Sequence, residues 1–283
     1  MKRVGALLTL AGLLAGGPAL ARDPDPDPAK SEMWNKVHAS LFQGVRFEAD
    51  ADQVITLETP MRAEDAAVVP VAIRTRFAQS RERSIDRIWL VVDHNPSPVA
   101  AEFQFTADSG RADIETRIRI EEYTHVRAVA RTADGKMYMV ANYVKASGGC
   151  SAPAGKDPEV AKANLGRMRL RVEEKPAPGQ PVLAQLMVSH PNDTGLAMDQ
   201  LTRMYAPPHF VRRVEVRYDG KPVMMADVDF SISENPNFRF YFTPHEGGQL
   251  EAVVVDNQDL RFTAALKLDG SRVASAQQEQ APQ

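Results

Sequence analysis

The chain has 283 residues, of which 43% are hydrophobic and 25% are charged, so it is long enough for two small domains with a core each. Its formal net charge of -3 provides no overall attraction for nucleic acid or for an anionic membrane, and we expect neither as a partner. The chain has 1 cysteine, Cys150, which excludes an intramolecular disulfide.

The first residues have the pattern of an export signal. Lys2 and Arg3 precede the apolar run VGALLTLAGLLAGG, and Ala19 and Ala21 are small residues at the positions that signal peptidase recognises. The sequence therefore predicts a signal peptide over residues 1–21. The apolar run is short for a membrane span and no second run follows, which favours a secreted protein, periplasmic in a Gram-negative host.

Residues 22–45 are predicted to be a disordered leader followed by a short helix. Acidic residues alternate with prolines in RDPDPDPAK, a composition that is typical of disorder. In SEMWNKVHASLFQ, apolar residues recur at helical spacing, which indicates a helix that docks on the first module. The residues of this apolar stripe are Trp34, Val37, Leu41 and Phe42.

Residues 46–147 have a period of two, which predicts a module of antiparallel strands. The clearest strand is IETRIRI. Its alternation places Ile114, Thr116, Ile118 and Ile120 on a buried face and Glu115, Arg117 and Arg119 on a solvated face. Asp134 and Gly135 then mark a hairpin turn.

Residues 164–270 repeat the pattern of short strands separated by turn signals. In NFRFYF, Phe238, Phe240 and Phe242 share one face. Regular short strands in both halves predict an all-β chain of two immunoglobulin-like β-sandwich domains. The polar tail, residues 271–283, is predicted to be disordered.

Residues 148–163 join the two modules and are predicted to be a flexible Gly/Pro-containing arm. Gly148 and Gly149 precede Cys150 and Ser151 follows it, so few apolar neighbours are available to cover the thiol. We expect an exposed, reactive thiol that forms a disulfide-linked homodimer in air. A nearby cation, Lys145 or Lys156, is a candidate for lowering the thiol pKa.

Several sequence blocks resemble a known family. DGKMYMVANYVKASGGC resembles the last strand and the glycine-glycine-cysteine arm of the sulfur-carrier subunit of the SoxYZ complex. LMVSHPNDTGL, PPHFVRRVEVRYDGKPV, SISENPNFRFYF and VVVDNQDLRF are similar to blocks of its partner subunit, in the same order. The chain thus resembles a fused SoxYZ-like carrier, of the kind associated with quinoprotein dehydrogenases.

The resemblance implies a carrier without catalytic activity of its own. Cys150 would hold a sulfur-containing or other small cargo as a covalent conjugate while periplasmic redox or sulfur-oxidation enzymes act on it. It implies no catalytic residue, no cofactor and no metal. The chain departs from the family pattern after Cys150, because it continues into the second module and the arm is tethered at both ends.

The residues leave three other functions open. A Cys-His hydrolase would draw its partners from residues in turn-like surroundings, namely His190, Asp193 and His209. A soft-metal or copper carrier would use the methionines, although methionine also fills cores. The candidates are Met137, Met139, Met224 and Met225. A structural or adhesion module would use the sandwiches for contacts and Cys150 for nothing.

Overall fold

The computed structural model describes residues 26–153, 158–173, 177–198, 203–245 and 247–268. The predicted signal peptide, the start of the leader, the tail and residues 154–157 of the predicted arm lie outside the described residues. Within these described ranges, no helix has the length and apolar character needed to cross a membrane.

Strands account for most of the regular structure in both modules. Those of the first module are β1 (Ile55–Glu58), β2 (Val69–Thr75), β3 (Ile85–Val92), β4 (Val99–Phe105), β5 (Ile114–Ile118), β6 (Thr124–Thr132) and β7 (Met137–Val144). Those of the second module are β8 (Met168–Val172), β9 (Val182–Val188), β10 (Val211–Tyr218), β11 (Lys221–Val228), β12 (Asn237–Phe242), β13 (Gln249–Asp256) and β14 (Arg261–Lys267).

The strands form two antiparallel sheets that both run through the two modules. The six-stranded sheet has the order β1-β2-β5-β12-β9-β8, and the eight-stranded sheet has the order β14-β13-β10-β11-β4-β3-β6-β7. The prediction of an all-β chain built from two sandwich modules is confirmed. The modules are joined edge to edge in both layers, because β5 pairs with β12 and β4 pairs with β11.

Side-chain packing crosses the same junction. Phe238, Phe240 and Phe242 are 0% exposed, as the alternation in the sequence predicts. The ring of Phe238 meets Phe103 of the first module edge-on, with 6.3 Å between ring centroids. On the six-stranded sheet, the carboxylate of Glu115 on β5 forms ion pairs with Arg74 of β2, at 2.6 Å, and with Arg239 of β12. One continuous core therefore supports both modules.

Helix α1 (Glu32–Leu41) covers the outer face of the eight-stranded sheet. Ser31 caps the helix by accepting a hydrogen bond from the backbone N–H of Trp34, at 3.2 Å. Trp34 and Val37 are buried as predicted, whereas Leu41 is 39% exposed. The helix ends at Leu41, and the next apolar contact with the sheet comes from Phe42, whose ring lies 5.2 Å from that of Trp89.

A buried ion pair lies beneath this helix. Arg127 donates from Nε and Nη2 to the two carboxylate oxygens of Asp93, at 2.8 and 2.7 Å, and both side chains are 0% exposed. Arg127 also donates to the carbonyl of Pro28, at 2.8 Å, and its guanidinium lies 4.5 Å from the ring centre of Trp34. The pair thus attaches the leader and α1 to the sheet.

Candidate functional site around Cys150

Strand β7 leads the chain directly into the site. Val144 and Ala146 are buried, and between them the backbone N–H of Lys145 donates to the carbonyl of Met61 at 3.0 Å. The carbonyl of Lys145 accepts a hydrogen bond from Ala63 at 3.3 Å. The chain is therefore attached to the first module up to the start of the predicted arm.

The two glycines allow the arm backbone to dock on that module. Gly148 has a φ of 81°, which favours glycine, and its N–H donates to the carbonyl of Glu121 at 2.8 Å. The N–H of Gly149 donates to the carbonyl of Ile120 at 2.9 Å. A Cβ at Gly149 would lie 2.0 Å from the carbonyl oxygen of Ala66, so only glycine fits there. Both glycines were predicted to give flexibility; instead, Gly149 permits close packing and Gly148 supplies the positive φ.

Cys150 is held by both modules. Its N–H donates to Oε2 of Glu121 at 2.8 Å, and its carbonyl accepts from the hydroxyl of Thr194, in the second module, at 2.7 Å. The residue is 0% exposed. The expectation of an exposed thiol is therefore wrong for this arrangement, because contacts from distant parts of the chain cover a residue that has few apolar neighbours in the sequence.

Glu121 makes most of the polar contacts to the arm. Besides the N–H of Cys150, its carboxylate accepts the N–H of Ser151 at 3.1 Å and the Ser151 hydroxyl at 2.9 Å. Charge-assisted hydrogen bonds of this kind are about twice as strong as neutral ones. We refer to Glu121 and Thr194 together as the arm clamp. Ser151 was predicted to lie in a flexible arm and is instead bound by this clamp.

The surroundings of Cys150 keep its thiol protonated. Burial raises the pKa of the Cys150 thiol from 9.0 to about 12, the negative charge of Glu121 adds to the rise, and the positive charge of Arg119 opposes it. The thiolate is the nucleophile, and at neutral pH a pKa near 12 leaves about 1,000-fold less of it than the ordinary value. Lys156, one of the two lysines expected to lower the thiol pKa, lies outside the described residues.

The position of Arg119 corrects the sequence analysis. The alternation placed it on the solvated face of a strand, but β5 ends at Ile118 and Arg119 is only 7% exposed. The backbone N–H of Arg119 donates to the carbonyl of Ser231 at 2.7 Å, and Nη2 of its side chain donates to the carbonyl of Asn192 at 3.1 Å. Arg119 is thus turned into the junction between the modules, next to the arm.

The two ends of the predicted arm differ in secondary structure. Residues 148–153 follow β7 without forming a helix or strand, whereas residues 158–163, predicted to be flexible, form the short helix α2 (Pro158–Ala163). Residues 154–157 between them lie outside the described residues. The docked part of the arm is therefore the short stretch that includes Cys150.

The histidines considered as hydrolase partners form a cluster with a third residue. The carboxylate oxygen Oδ2 of Asp256 accepts two hydrogen bonds. One comes from Nε2 of His209, at 2.8 Å, and the other from Nε2 of His190, at 3.5 Å. Asp256, the last residue of β13, was not predicted from the sequence because it lies far along the chain from both histidines. The predicted Asp193 instead exchanges backbone hydrogen bonds with His209, at 2.8 and 3.0 Å.

This cluster is bound by hydrogen bonds in a way that disfavours a metal. The ligand atoms of His190, His209 and Asp256 lie within 4.8 Å of one another. However, Nδ1 of His190 accepts the N–H of Asn192 at 3.1 Å, which leaves the proton of the neutral ring on Nε2. Burial lowers the pKa of His190 to about 4, so the ring is neutral at pH 7 and its Nε2 has no lone pair for a metal.

The methionines considered for metal transport lie in hydrophobic surroundings. Met224 is 0% exposed in the main core, and Met137 is 7% exposed in the cluster beneath α1, where Met139 packs beside it. Met225 lies opposite Glu215 on β10. Packing accounts for Met137, Met139 and Met224.

Comparison with known proteins assigns both modules. Residues 39–150 match the family described as sulfur oxidation protein SoxY, and residues 168–267 match the family described as sulphur oxidation protein SoxZ. Proteins of these two families are of the carrier type, and the two matches support a sulfur-carrier role for this chain. The chain is a fused SoxYZ-like protein, with its SoxY and SoxZ domains in tandem. The SoxY match ends at Cys150.

Solved structures give weaker similarities. The sulfur carrier protein SoxY from Chlorobium limicola f thiosulfatophilum is 23% identical, over 40% of this chain and 91% of that chain, with a TM-score of 0.32. A beta-glycosidase from Bacteroides vulgatus is 8% identical, over 76% of this chain and 24% of that chain, with a TM-score of 0.24. No curated protein matches the chain.

Proposed function

We propose that this protein carries its cargo as a covalent conjugate on the thiol of Cys150. The observation that carries the proposal is the placement of Cys150. It is the last residue of the SoxY match, the one cysteine of the chain, and the point where both modules contact the arm. The cargo is a sulfur-containing or other small molecule that partner enzymes load and remove.

The docked arm is the resting form of the carrier. The thiol in this form is covered by protein and protonated, and both properties oppose attack on a cargo molecule. Loading therefore requires the arm clamp to open, so that Gly148, Gly149 and Ser151 become the mobile arm that the sequence predicts. The same protection makes a disulfide-linked homodimer a product of the open form alone.

The two domains indicate which partners and which compartment the carrier has. The SoxY and SoxZ domains imply sulfur-oxidation enzymes as partners, and a periplasmic quinoprotein dehydrogenase system is our proposal for a redox partner. Sox carriers are typically periplasmic, which fits the signal peptide predicted over residues 1–21.

The fusion also limits how far the opened arm can reach. Helix α2 begins at Pro158, so the arm that can open spans about ten residues, 148–157. Cys150 is the third of them, and at roughly 3.3 Å per residue it can move about 10 Å from Ser147.

The test is the intact mass of protein purified from its own host. We expect the wild-type protein to have a mass increment that reductant removes, and Cys150→Ser to have none. Ser147→Ala, an exposed change three residues away, is the matched control and should keep the increment. An increment that persists in Cys150→Ser would move the attachment point elsewhere. Wild-type protein without an increment would contradict carriage and favour a structural module.

A further inference from the structure

The loop that reaches Cys150 from the second module turns at Asn192. Thr194 in this loop donates its hydroxyl to the carbonyl of Cys150 at 2.7 Å. Asn192, two residues earlier, is 0% exposed and has a φ of 49°, a left-handed conformation that needs support from its surroundings. Its side chain donates to the carbonyl of Ile232 at 2.9 Å and accepts the N–H of Val211 at 3.0 Å. The position of Thr194 therefore depends on how this turn is held.

His190 holds the backbone of the turn. Nδ1 of its ring accepts the backbone N–H of Asn192 at 3.1 Å. An imidazole accepts a hydrogen bond only through an unprotonated nitrogen, so this contact exists only while the ring is neutral. A second proton on the ring would place two N–H donors against each other at a buried position. The neutral ring thus supports the turn, and the charged ring opposes it.

The titratable groups that face the His190 ring are His209 and Asp256. The ring of His209, a residue that precedes β10, lies 4.6 Å away between centroids. Asp256, the last residue of β13, accepts from Nε2 of His190 at 3.5 Å. The neighbour from β14 is apolar, the ring of Phe262, at 6.4 Å. Burial lowers the pKa of His190 from 6.5 to about 4, the charge of His209 adds to the fall, and Asp256 opposes it.

This low pKa belongs to the docked form. When the loop opens, the ring meets water and its pKa returns toward 6.5, so the open form binds the proton more readily. The docked form is therefore fully favoured above about pH 6.5 and loses stability as the pH falls toward 4. We propose that His190 is a positioning residue for the arm, whose neutral ring keeps Thr194 on Cys150 and whose protonation releases the arm.

The proposal rests on the docked arm of the proposed function, but its test needs no natural cargo. Dithiodipyridine is a disulfide that reacts with thiols in mildly acidic solution. The sulfur of Cys150 forms a new S–S bond to one half of the reagent, whose own S–S bond breaks. The other half leaves with the electron pair and the thiol proton as thiopyridone, whose absorbance gives the rate. Dividing this rate by that of glutathione at the same pH removes the pH dependence of the reagent and of the thiolate fraction.

We expect the normalised rate of the wild-type protein to rise about tenfold between pH 7 and pH 5, since acid shifts the opening equilibrium by at most about tenfold per pH unit. His190→Asn keeps an acceptor oxygen at the place of Nδ1 and does not titrate, so its rate should stay low throughout. His190→Leu has no acceptor and should react fast even at pH 7. His245→Asn is the matched control, because His245 is an exposed histidine that follows β12, and it should keep the wild-type profile.

A flat wild-type profile, or an equal rise in His190→Asn and wild type, would overturn the proposal. The second result would assign the acid response to a carboxylate of the arm clamp, Glu121. If His190→Asn does not fold by circular dichroism, hydrogen exchange of the wild-type protein gives the decision. The protection of the Asn192 amide should fall between pH 7 and pH 5, and constant protection would overturn the proposal. A host-purified protein without an adduct would refute carriage, while the pH profile still reports on His190.

Discussion

Among single residues, Gly149 decides whether the arm can dock. A Cβ at this position would lie 2.0 Å from a backbone oxygen of the first module, where neither atom can move freely. Gly149→Ala is therefore expected to shift the arm to its open form and to raise the rate of maleimide labelling at Cys150 by about tenfold, since overpacking costs 1–3 kcal/mol.

The matched change is Gly148→Ala. A Cβ at Gly148 would meet nothing within 4 Å, so the cost there comes only from its positive φ, about 1 kcal/mol. Labelling should increase less in Gly148→Ala than in Gly149→Ala. The reverse order would show that backbone conformation, rather than close approach to Ala66, limits docking.

Burial and, after it, the negative charge of Glu121 raise the pKa of the Cys150 thiol and so determine its pH response. Because the thiol pKa is raised to about 12, the alkylation rate of the docked wild-type protein should climb about tenfold per pH unit between pH 7 and 10, without a plateau near 9. Glu121→Gln removes the charge that adds to this rise and weakens the clamp, so labelling at pH 7.5 should become several-fold faster.

The neighbouring Glu122 provides the control for this change. It is exposed and has the same charge, so Glu122→Gln should leave the pH profile as it is in the wild type. Equal profiles for Glu121→Gln and wild type would contradict the role of Glu121 in the arm clamp. A similar acceleration in both variants would point to net charge rather than to this contact.

At the scale of elements, the ion pair between Asp93 and Arg127 attaches helix α1 to β3 and β6. Asp93→Asn leaves the Arg127 guanidinium buried without its counter-charge, which should lower the free energy of unfolding by about 3–5 kcal/mol. The exposed pair of the same two strands, Asp86 with Arg131, is about a third exposed on each side. Asp86→Asn should cost less than about 1 kcal/mol.

Urea unfolding of the two variants makes this comparison. If both substitutions cost the same, the buried pair has no special part in holding α1. If Asp93→Asn loses only the near-ultraviolet signal of Trp34 while the sheets unfold at the wild-type urea concentration, the pair fixes the helix without contributing to the stability of the sheets.

Elements also show what the sequence can and cannot predict. The alternation around Phe240 and the spacing of Trp34 and Val37 predict buried faces correctly, because each is a local periodicity. The alternation fails at Arg119, one residue after β5 ends. The clamp on Cys150 was missed because it needs Thr194, which is 44 residues away in the chain and is brought near only by pairing of the two modules.

We expect the whole molecule to unfold as one cooperative unit rather than as two linked domains. Both sheets pass from the first module to the second, through β4–β11 and β5–β12, and the core is continuous. Calorimetry should therefore show one unfolding transition, with a calorimetric enthalpy equal to the van't Hoff enthalpy. Asp93→Asn should move this transition to lower temperature without splitting it. Two resolved transitions would mean that the modules unfold independently.

Because both modules bind Cys150, the accessibility of its thiol reports whether the two modules are still packed together. Its covering requires Glu121 from the first module and Thr194 from the second, so a molecule whose modules have separated loses its protection at once. We expect the exposed thiolate of such a molecule to attack a small disulfide such as oxidised glutathione, forming a mixed disulfide and releasing one thiol, while intact copies keep Cys150 reduced. A covalent label on Cys150 would therefore distinguish separated from intact molecules.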